Sequence, residues 1–105
     1  MSGPDHGRVL AALADPLRLE ILDRLAAGSE VTVTQLASVL PMTRQGVTRH
    51  VRTLEEAGIV VGVREGREHR YRVDRLVVAE AHRWLGRRAS SWDAALDRLS
   101  AHLEG

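Results

Sequence analysis

Apolar residues recur along most of the chain at spacings of three and four, which is the period of amphipathic helices. Two segments differ, because residues 59–63 are rich in β-branched side chains and residues 69–73 alternate apolar and polar side chains. Two such segments around a polar turn with Gly66 predict a β-hairpin. The segment of residues 30–33 is short and rich in β-branched side chains, which predicts an extended link or a minor strand. Helices are predicted over residues 8–14, 16 to about 28, 35–40, 43–57, and 76 to near the C-terminus. The pattern predicts a mainly α domain with a two-stranded hairpin.

Local signals mark both ends of helix 43–57. Pro41 ends the preceding helix, because the residue before a proline disfavours helical geometry. Thr43 is placed to cap the helix that follows, and Met42 before the cap fits a hydrophobic staple with Val47 after it. Gly58 is placed to end the helix. Two helices separated by so short a break predict a helix-turn-helix, and the hairpin that follows makes it a winged helix.

Two other helices have candidate caps. Asp15 can cap the second helix, and Pro16 fits its first position because proline lacks the backbone donor that would be unpaired there. Gly28 is predicted to end that helix. Thr34 is predicted to cap helix 35–40.

The surface of helix 43–57 opposite its apolar edge, which is Val47, Val51 and Leu54, carries side chains suited to DNA recognition. Arginine, glutamine and threonine side chains hydrogen-bond base edges and phosphates. We expect this helix to lie in the major groove of DNA, and the alternative is an ordinary solvated helix face. The predicted DNA contacts in this segment are Thr43, Arg44, Gln45, Thr48, Arg49, His50 and Arg52.

Three further predicted DNA contacts, Arg64, Arg67 and Arg70, lie in the hairpin. They are suited to reach backbone phosphate or a minor groove. Glu65 and Glu68 lie between them, so internal ion pairs compete with DNA contact.

Two residues near the predicted DNA surface each have two open interpretations. His50 either binds phosphate or packs under helix 43–57. Arg18 either reaches phosphate from the start of the second helix or forms a structural ion pair.

An apolar stripe runs along the last predicted helix. Its members fall at spacings of four, four, three, four, three and four, which is nearly a heptad pattern and longer than a small core requires. We therefore expect a dimer interface, to which the first helix contributes, while Gly86 and Ser90-Ser91 are positions where the helix can bend or split. The stripe is Ala81, Leu85, Ala89, Trp92, Leu96, Leu99 and Leu103. The predicted dimer contacts are Val9, Leu10, Leu13, Leu85, Trp92, Leu96, Leu99 and Leu103.

The length of 105 residues fits one small domain over residues 1–105. Within it we expect a DNA-binding core in 8–75 and a dimerisation helix in 76–105 that pairs with helix 8–14. Without cysteine there is no disulfide and no thiolate metal site. The chain has no apolar run of membrane-spanning length and no signal-peptide pattern, so we expect a cytoplasmic protein with no membrane partner. Residues 43–75 contain eight arginines and five acidic residues, so the basic excess coincides with the helix-turn-helix and hairpin.

Three ordered motifs, LADPLRLEILDRLAAG, TVTQLASVLPMTRQGVTRHVRTLEEAGIV and REGREHRYRVD, resemble ArsR-type (ArsR/SmtB) winged helix-turn-helix regulators over residues 8–75. The resemblance implies a homodimeric bacterial transcription factor, usually a repressor, that binds an inverted-repeat operator. It also implies dimerisation through the first and last helices. By position, Gln45, Thr48 and Arg49 match the family's base-facing residues.

The chain departs from the metal-sensing members of that family. It has no cysteine ligands, and Glu80-x-His82 matches only the first half of their carboxylate and imidazole set, because Asp93 and Leu96 occupy the region of the second half. His6 and His102 stand alone in the sequence. We therefore expect no metal and no cofactor.

Catalysis has no support in the sequence, which lacks a recognisable nucleophile arrangement and a glycine-rich phosphate loop, so we expect that the protein is not an enzyme. The main hypothesis is a sequence-specific repressor of double-stranded DNA, relieved by a small molecule, by a partner protein, or by no effector. The alternative hypothesis is a winged-helix interaction module that binds an acidic partner without specific DNA recognition.

Overall fold

The computed structural model describes residues 5–26 and 30–104, with side chains to residue 102. The predicted helix end at Gly28 and the side chain of Leu103 therefore lie outside the described residues. The elements in chain order are α1 (His6–Leu13), α2 (Pro16–Ala26), β1 (Val31–Thr32), α3 (Val33–Val39), α4 (Arg44–Glu56), β2 (Val60–Glu65), β3 (Glu68–Val73) and α5 (Arg75–Glu104).

The sheet confirms the predicted hairpin and adds a short third strand to it. The strand order is β1-β3-β2, and both pairings are antiparallel. In β1, Val31 lies opposite Tyr71, so residues 30–33 contain a minor strand and not only an extended link. Gly66 and Arg67 join β2 to β3, and Gly66 has a φ of 60°. A positive φ at the first central residue alone is typical of a type II′ hairpin turn.

The start of α3 differs from the prediction. The cap is Thr32, not Thr34: the Thr32 hydroxyl accepts from the Gln35 backbone N–H at 3.1 Å, and the Gln35 side chain accepts from the Thr32 backbone N–H at 2.9 Å. This reciprocal capping box satisfies two backbone donors at once. It requires a glutamine or glutamate three residues after the cap, and Ala37 stands at that distance from Thr34.

Both ends of α4 follow the prediction. The Thr43 hydroxyl accepts from the Gly46 backbone N–H at 3.0 Å. At the other end, the backbone N–H of Ile59 donates to Leu54 O at 3.0 Å, and that of Gly58 donates to Glu55 O at 2.9 Å. These two bonds, with a φ of 80° at Gly58, form a Schellman motif. The motif turns the chain directly from α4 into β2.

The core is entirely apolar among the described residues, with no buried polar or charged side chain. Helices α1, α2, α3 and α4 and the base of the hairpin all contribute to it. Val9 is fully buried in this core, so it has no surface to offer a second chain, and its assignment to the dimer interface is corrected. Leu10 and Leu13 are half-buried. The fully buried large side chains are Ile21, Leu36, Leu54, Ile59, Val9, Val47 and Val51.

Helix α5 begins on the core and continues well beyond it. Asp74 caps it by accepting from the Leu76 backbone N–H at 3.1 Å, and the helix is continuous through Gly86 and Ser90-Ser91. Ala81 is buried, whereas every side chain from Leu85 to His102 is exposed. The radius of gyration is 17.8 Å, and a compact domain of this length has about 13 Å. The difference reflects the projecting half of α5.

None of the described helices combines the length and the apolar character needed to span a membrane.

The left-handed conformation of Gly58 gives a first prediction. A Cβ at this position meets no atom within 4 Å, so Gly58→Ala acts through the backbone alone. An L side chain in this region costs about 1–2 kcal/mol. We expect the melting temperature to fall by about 5–10 °C, measured by scanning calorimetry.

The matched control for that change is Gly86→Ala. A Cβ at Gly86 also meets no atom within 4 Å, but this glycine lies inside the regular helix α5. Alanine is favoured over glycine there by about 0.5–1 kcal/mol, so the melting temperature is expected to rise. Equal shifts in the two variants contradict the strained conformation assigned to Gly58.

Candidate nucleic-acid interface

Five polar side chains of α4 line one open groove on the protein surface. The opposite edge of the helix is buried through Val47, Val51 and Leu54, so packing fixes which side of α4 faces solvent. Among the described residues, no ion pair within 4.0 Å involves these arginines. We call this set the reading face: Arg44, Gln45, Thr48, Arg49 and Arg52.

Thr43 lies at the start of the reading face and is exposed. Its hydroxyl oxygen accepts the capping hydrogen bond from Gly46, which leaves the hydroxyl proton to act as a donor. Thr43 therefore has a structural role as the N-cap of α4, and its contact with DNA stays a prediction.

The three hairpin arginines that were predicted to contact DNA divide into two groups. Arg70 forms an ion pair with Glu68, with Nη2 3.1 Å from Oε1 and 3.3 Å from Oε2, so the competition expected from the interleaved acids is present there. Arg64 and Arg67 are exposed, and the described residues contain no ion pair to either. These two side chains therefore carry the unneutralised charge of the tip.

A second groove connects the reading face with the hairpin. It runs from Arg44 and Thr48 past the start of α3 to Arg67. The start of α3 was not predicted to belong to this surface, because Thr34 and Gln35 carry no charge and precede the turn. The chain therefore presents one continuous polar surface. It is lined by Thr32, Val33, Thr34, Gln35, Arg44, Thr48, Arg67, Glu68, His69 and Tyr71.

The rings of two residues of β3, His69 and Tyr71, form a stacked pair. The rings of His69 and Tyr71 lie 4.6 Å apart, and the Tyr71 hydroxyl is 3.3 Å from His69 Nδ1. Burial raises the pKa of the Tyr71 hydroxyl, the Glu55 carboxylate adds to the increase, and Arg52 opposes it. A Cβ at Gly62 would overlap the His69 ring, so glycine is required there for the stack to lie over β2.

His50 and Arg18 contact each other at the back of α4. Arg18 Nη1 lies 3.3 Å from His50 Nδ1, and both side chains are half-buried. Arg18 also lies 3.9 Å from Asp15 Oδ2, so the structural ion pair is the alternative that the structure favours for this arginine. The Asp15 carboxylate caps α2 by accepting from the backbone of Arg18 and Leu17. The pKa of the Asp15 carboxyl is lowered, mainly by the hydrogen bond from the Arg18 backbone N–H. Desolvation of the carboxyl acts in the opposite direction.

The predicted dimer contacts in the second half of α5 lie on one exposed helix side. The exposed fractions of Leu85, Trp92, Leu96 and Leu99 lie between 48% and 69%, which is unusual for large apolar side chains in a row. We call these four residues the α5 stripe. It continues the side of α5 that packs on the core through Ala81.

The candidate metal ligands do not come together. The described residues contain no group of three or more histidine, aspartate or glutamate side chains placed to hold a metal ion. His6 instead stacks on Trp84, with ring centroids 5.5 Å apart, and Arg88 lies 4.3 Å from the Trp84 ring. The expectation of no metal and no cofactor stays a prediction.

Sequence comparison matches the chain to regulators with this architecture. The model of a family described as a helix-turn-helix domain matches residues 13–63. The HTH-type transcriptional repressor SmtB of Mycobacterium tuberculosis is 39% identical over 67 residues, which are 64% of this chain and 49% of SmtB. The chain therefore spans about half the length of this curated relative.

Solved structures extend the match over most of the chain. An ArsR-like transcriptional regulator from Rhodococcus sp. RHA1 is 35% identical, with a TM-score of 0.77 over 90% of this chain and 88% of that one. The homodimeric winged helix-turn-helix DNA-binding domain Mb0332 from Mycobacterium bovis is 30% identical, with a TM-score of 0.62 over 88% of this chain and 82% of that one. The chain thus belongs to the ArsR/SmtB family of winged helix-turn-helix regulators.

Proposed function

We propose that the protein is a homodimeric transcriptional repressor that binds an inverted-repeat operator with α4 in the major groove of each half-site. The observation that carries this proposal is the reading face. Its arginine, glutamine and threonine side chains lie on one open side of a helix that is capped, buried on its other side, and unpaired with acids in the described residues.

The chemistry of the reading face divides between base recognition and phosphate binding. Gln45 has the donor and acceptor pair that matches an adenine edge, and Arg49 has the two parallel donors that match guanine. Arg44 and Arg52 flank them and are suited to phosphate. Arg67 at the hairpin tip extends the same surface toward the neighbouring backbone or minor groove.

A second copy of the chain is the partner that the α5 stripe fits. A closed dimer with a two-fold axis presents the same surface twice, and a row of apolar side chains is self-complementary in this sense. The M. bovis relative is described as a homodimer, which supports the same assembly here. Two copies of α4 would then meet half-sites about 34–36 Å apart, one turn of DNA.

The relative SmtB is named as a transcriptional repressor, and we extend repression to this chain as part of the proposal. Occupation of a promoter by the dimer blocks transcription directly. The protein would act in the bacterial cytoplasm, where the chromosome lies, and repression would be relieved by a small molecule, by a partner protein, or by no effector.

The test is a titration of the protein with duplex DNA at two salt concentrations. The probe is a duplex from the region upstream of its own gene that contains an inverted repeat, and a shuffled duplex of equal composition is the control. We expect binding to the repeat in the nanomolar range and a loss of about a thousandfold between 50 and 200 mM salt, the effect of about six phosphate contacts. Equal, salt-sensitive binding to both duplexes contradicts specific recognition and favours the acidic-partner module.

A further inference from the structure

The guanidinium of Arg18 holds the end of α1 as well as the back of α4. Its Nε donates to Ala12 O at 2.5 Å, and its Nη2 lies 3.5 Å from Ala11 O. Both carbonyls belong to the last turn of α1, where the Ala11 carbonyl also accepts from the Ala14 backbone N–H at 3.2 Å. A positive group at this end also compensates the negative end of the helix dipole. Arg18 therefore supplies the Ala12 carbonyl with a donor that the end of the helix does not provide.

Arg18 joins these carbonyls to the reading helix through His50. Arginine has donors only, so in this contact His50 Nδ1 is the acceptor. Only 17% of the Arg18 side chain is exposed, so water competes little for these contacts. One side chain of α2 thus bonds to α1, to the α1–α2 junction at Asp15, and to α4.

In the described part of the chain, the side-chain hydrogen bonds between different helices are all made by the Arg18 guanidinium. The Arg18–His50 contact spans 32 positions, whereas side-chain hydrogen bonds not made by the Arg18 guanidinium join positions at most four apart. Apart from these bonds, the helices pack through the apolar core and through the stack of His6 on Trp84. Apolar burial is non-directional, whereas the hydrogen bonds of a guanidinium depend on orientation, so Arg18 adds an orientation-specific contact to the packing of the helices.

We propose that Arg18 is a positioning residue for DNA recognition: through His50 it fixes the orientation of α4 relative to α1, and so the separation at which two reading faces meet two half-sites. The inference rests on the proposed function, because α1 transmits this orientation only if it lies beside the dimer interface. Leu10 and Leu13 of α1 are half-buried, and α1 contacts α5, as that arrangement requires.

Four variants separate positioning from general stability. Arg18→Met removes every donor and keeps much of the aliphatic chain. His50→Leu removes the acceptor, whereas His50→Asn keeps an acceptor close to the position of Nδ1. Arg24→Met is the matched control, because Arg24 is an exposed arginine on the same helix.

The experiment uses the full chain and a duplex selected from a random pool by the unaltered protein. Binding is measured to that duplex, to versions with one base pair added or removed between the half-sites, and to a shuffled duplex. We expect Arg18→Met and His50→Leu to bind the selected duplex about tenfold more weakly, with unchanged binding to the shuffled one. Both should discriminate less between spacings, while His50→Asn and Arg24→Met should resemble the unaltered protein.

Adding His50→Leu to Arg18→Met is expected to give no further loss, because Arg18→Met already breaks the contact that the two residues share. A lower melting temperature with an unchanged spacing preference overturns the proposal and leaves Arg18 a purely structural role. If Arg18→Met does not fold, the comparison of His50→Leu with His50→Asn decides, and equal behaviour of the two overturns it. Failure of the unaltered protein to select any duplex overturns the proposed function itself.

Discussion

Leu96→Glu is expected to yield a folded monomer that has lost nearly all affinity for an inverted repeat. Leu96 is 57% exposed in the middle of the α5 stripe, so the glutamate meets no core residue and the fold persists. In a dimer it would face an apolar partner surface, and burying an unpaired carboxylate there is prohibitive. Two linked readers gain about 10²–10⁴ in affinity over one, and the monomer forfeits that gain. Sedimentation velocity and DNA titration measure the two effects.

The control for this change is Ala94→Glu. Ala94 is exposed on the opposite side of α5, so it adds the same charge to the same helix without touching the stripe. It should leave both the dimer and DNA binding intact. A Leu96→Glu protein that still sediments as a dimer would place the interface elsewhere. Dissociation in both variants would show that added charge, and not the stripe, controls association.

The second large effect is expected for Gln45→Ala combined with Arg49→Ala. A bidentate contact to a base contributes about 1–3 kcal/mol, and a homodimer makes each contact twice. The combined variant is therefore expected to lose at least about 4 kcal/mol, or roughly a thousandfold, on the specific duplex. Binding to a shuffled duplex should change little, because Arg44 and Arg52 remain. Fluorescence anisotropy with both duplexes measures the ratio.

Arg87→Ala is the control for lost positive charge. Arg87 is exposed on α5, away from the reading face, so its removal should leave the ratio of specific to shuffled binding unchanged. If the combined Gln45 and Arg49 variant weakens binding to both duplexes equally, then α4 binds phosphate but does not read bases. If binding is unaffected, α4 does not enter the major groove.

The parts of the fold that the sequence predicted are those fixed by neighbours in the chain. Thr43, Gly58 and Gly66 act through hydrogen bonds or backbone angles within a few residues, so each end of α4 and the hairpin turn were predictable. The misplaced cap of α3 was a local error of the same kind. The pair Thr32 and Gln35 carried the capping-box signal that Thr34 lacks.

The parts that the sequence did not predict depend on distant residues. A minor strand was one of the two predictions for residues 30–33, but its pairing with a strand some forty positions later, at Val31 and Tyr71, was not predicted. The periodicity around Val9 indicates an apolar helix side, but it does not say whether that side is buried by its own chain or by another. The Arg18–His50 contact spans 32 positions with no pattern that links its ends. The reading face itself was predicted because one short amphipathic helix determines it.

The continuity of α5 through Gly86 has a mechanical consequence. One continuous helix carries both the core contact at Ala81 and the exposed apolar residues beyond it, so a tilt of the helix at Ala81 would be amplified toward its far end. From Ala81 to the last turn the arm is about 33 Å long. A tilt of only about 6° therefore moves its far end by about 3.4 Å, the rise of one base pair. In a dimer joined through α5, a signal that tilts this helix by a few degrees would therefore be sufficient to change the spacing of the two reading faces by about one base pair.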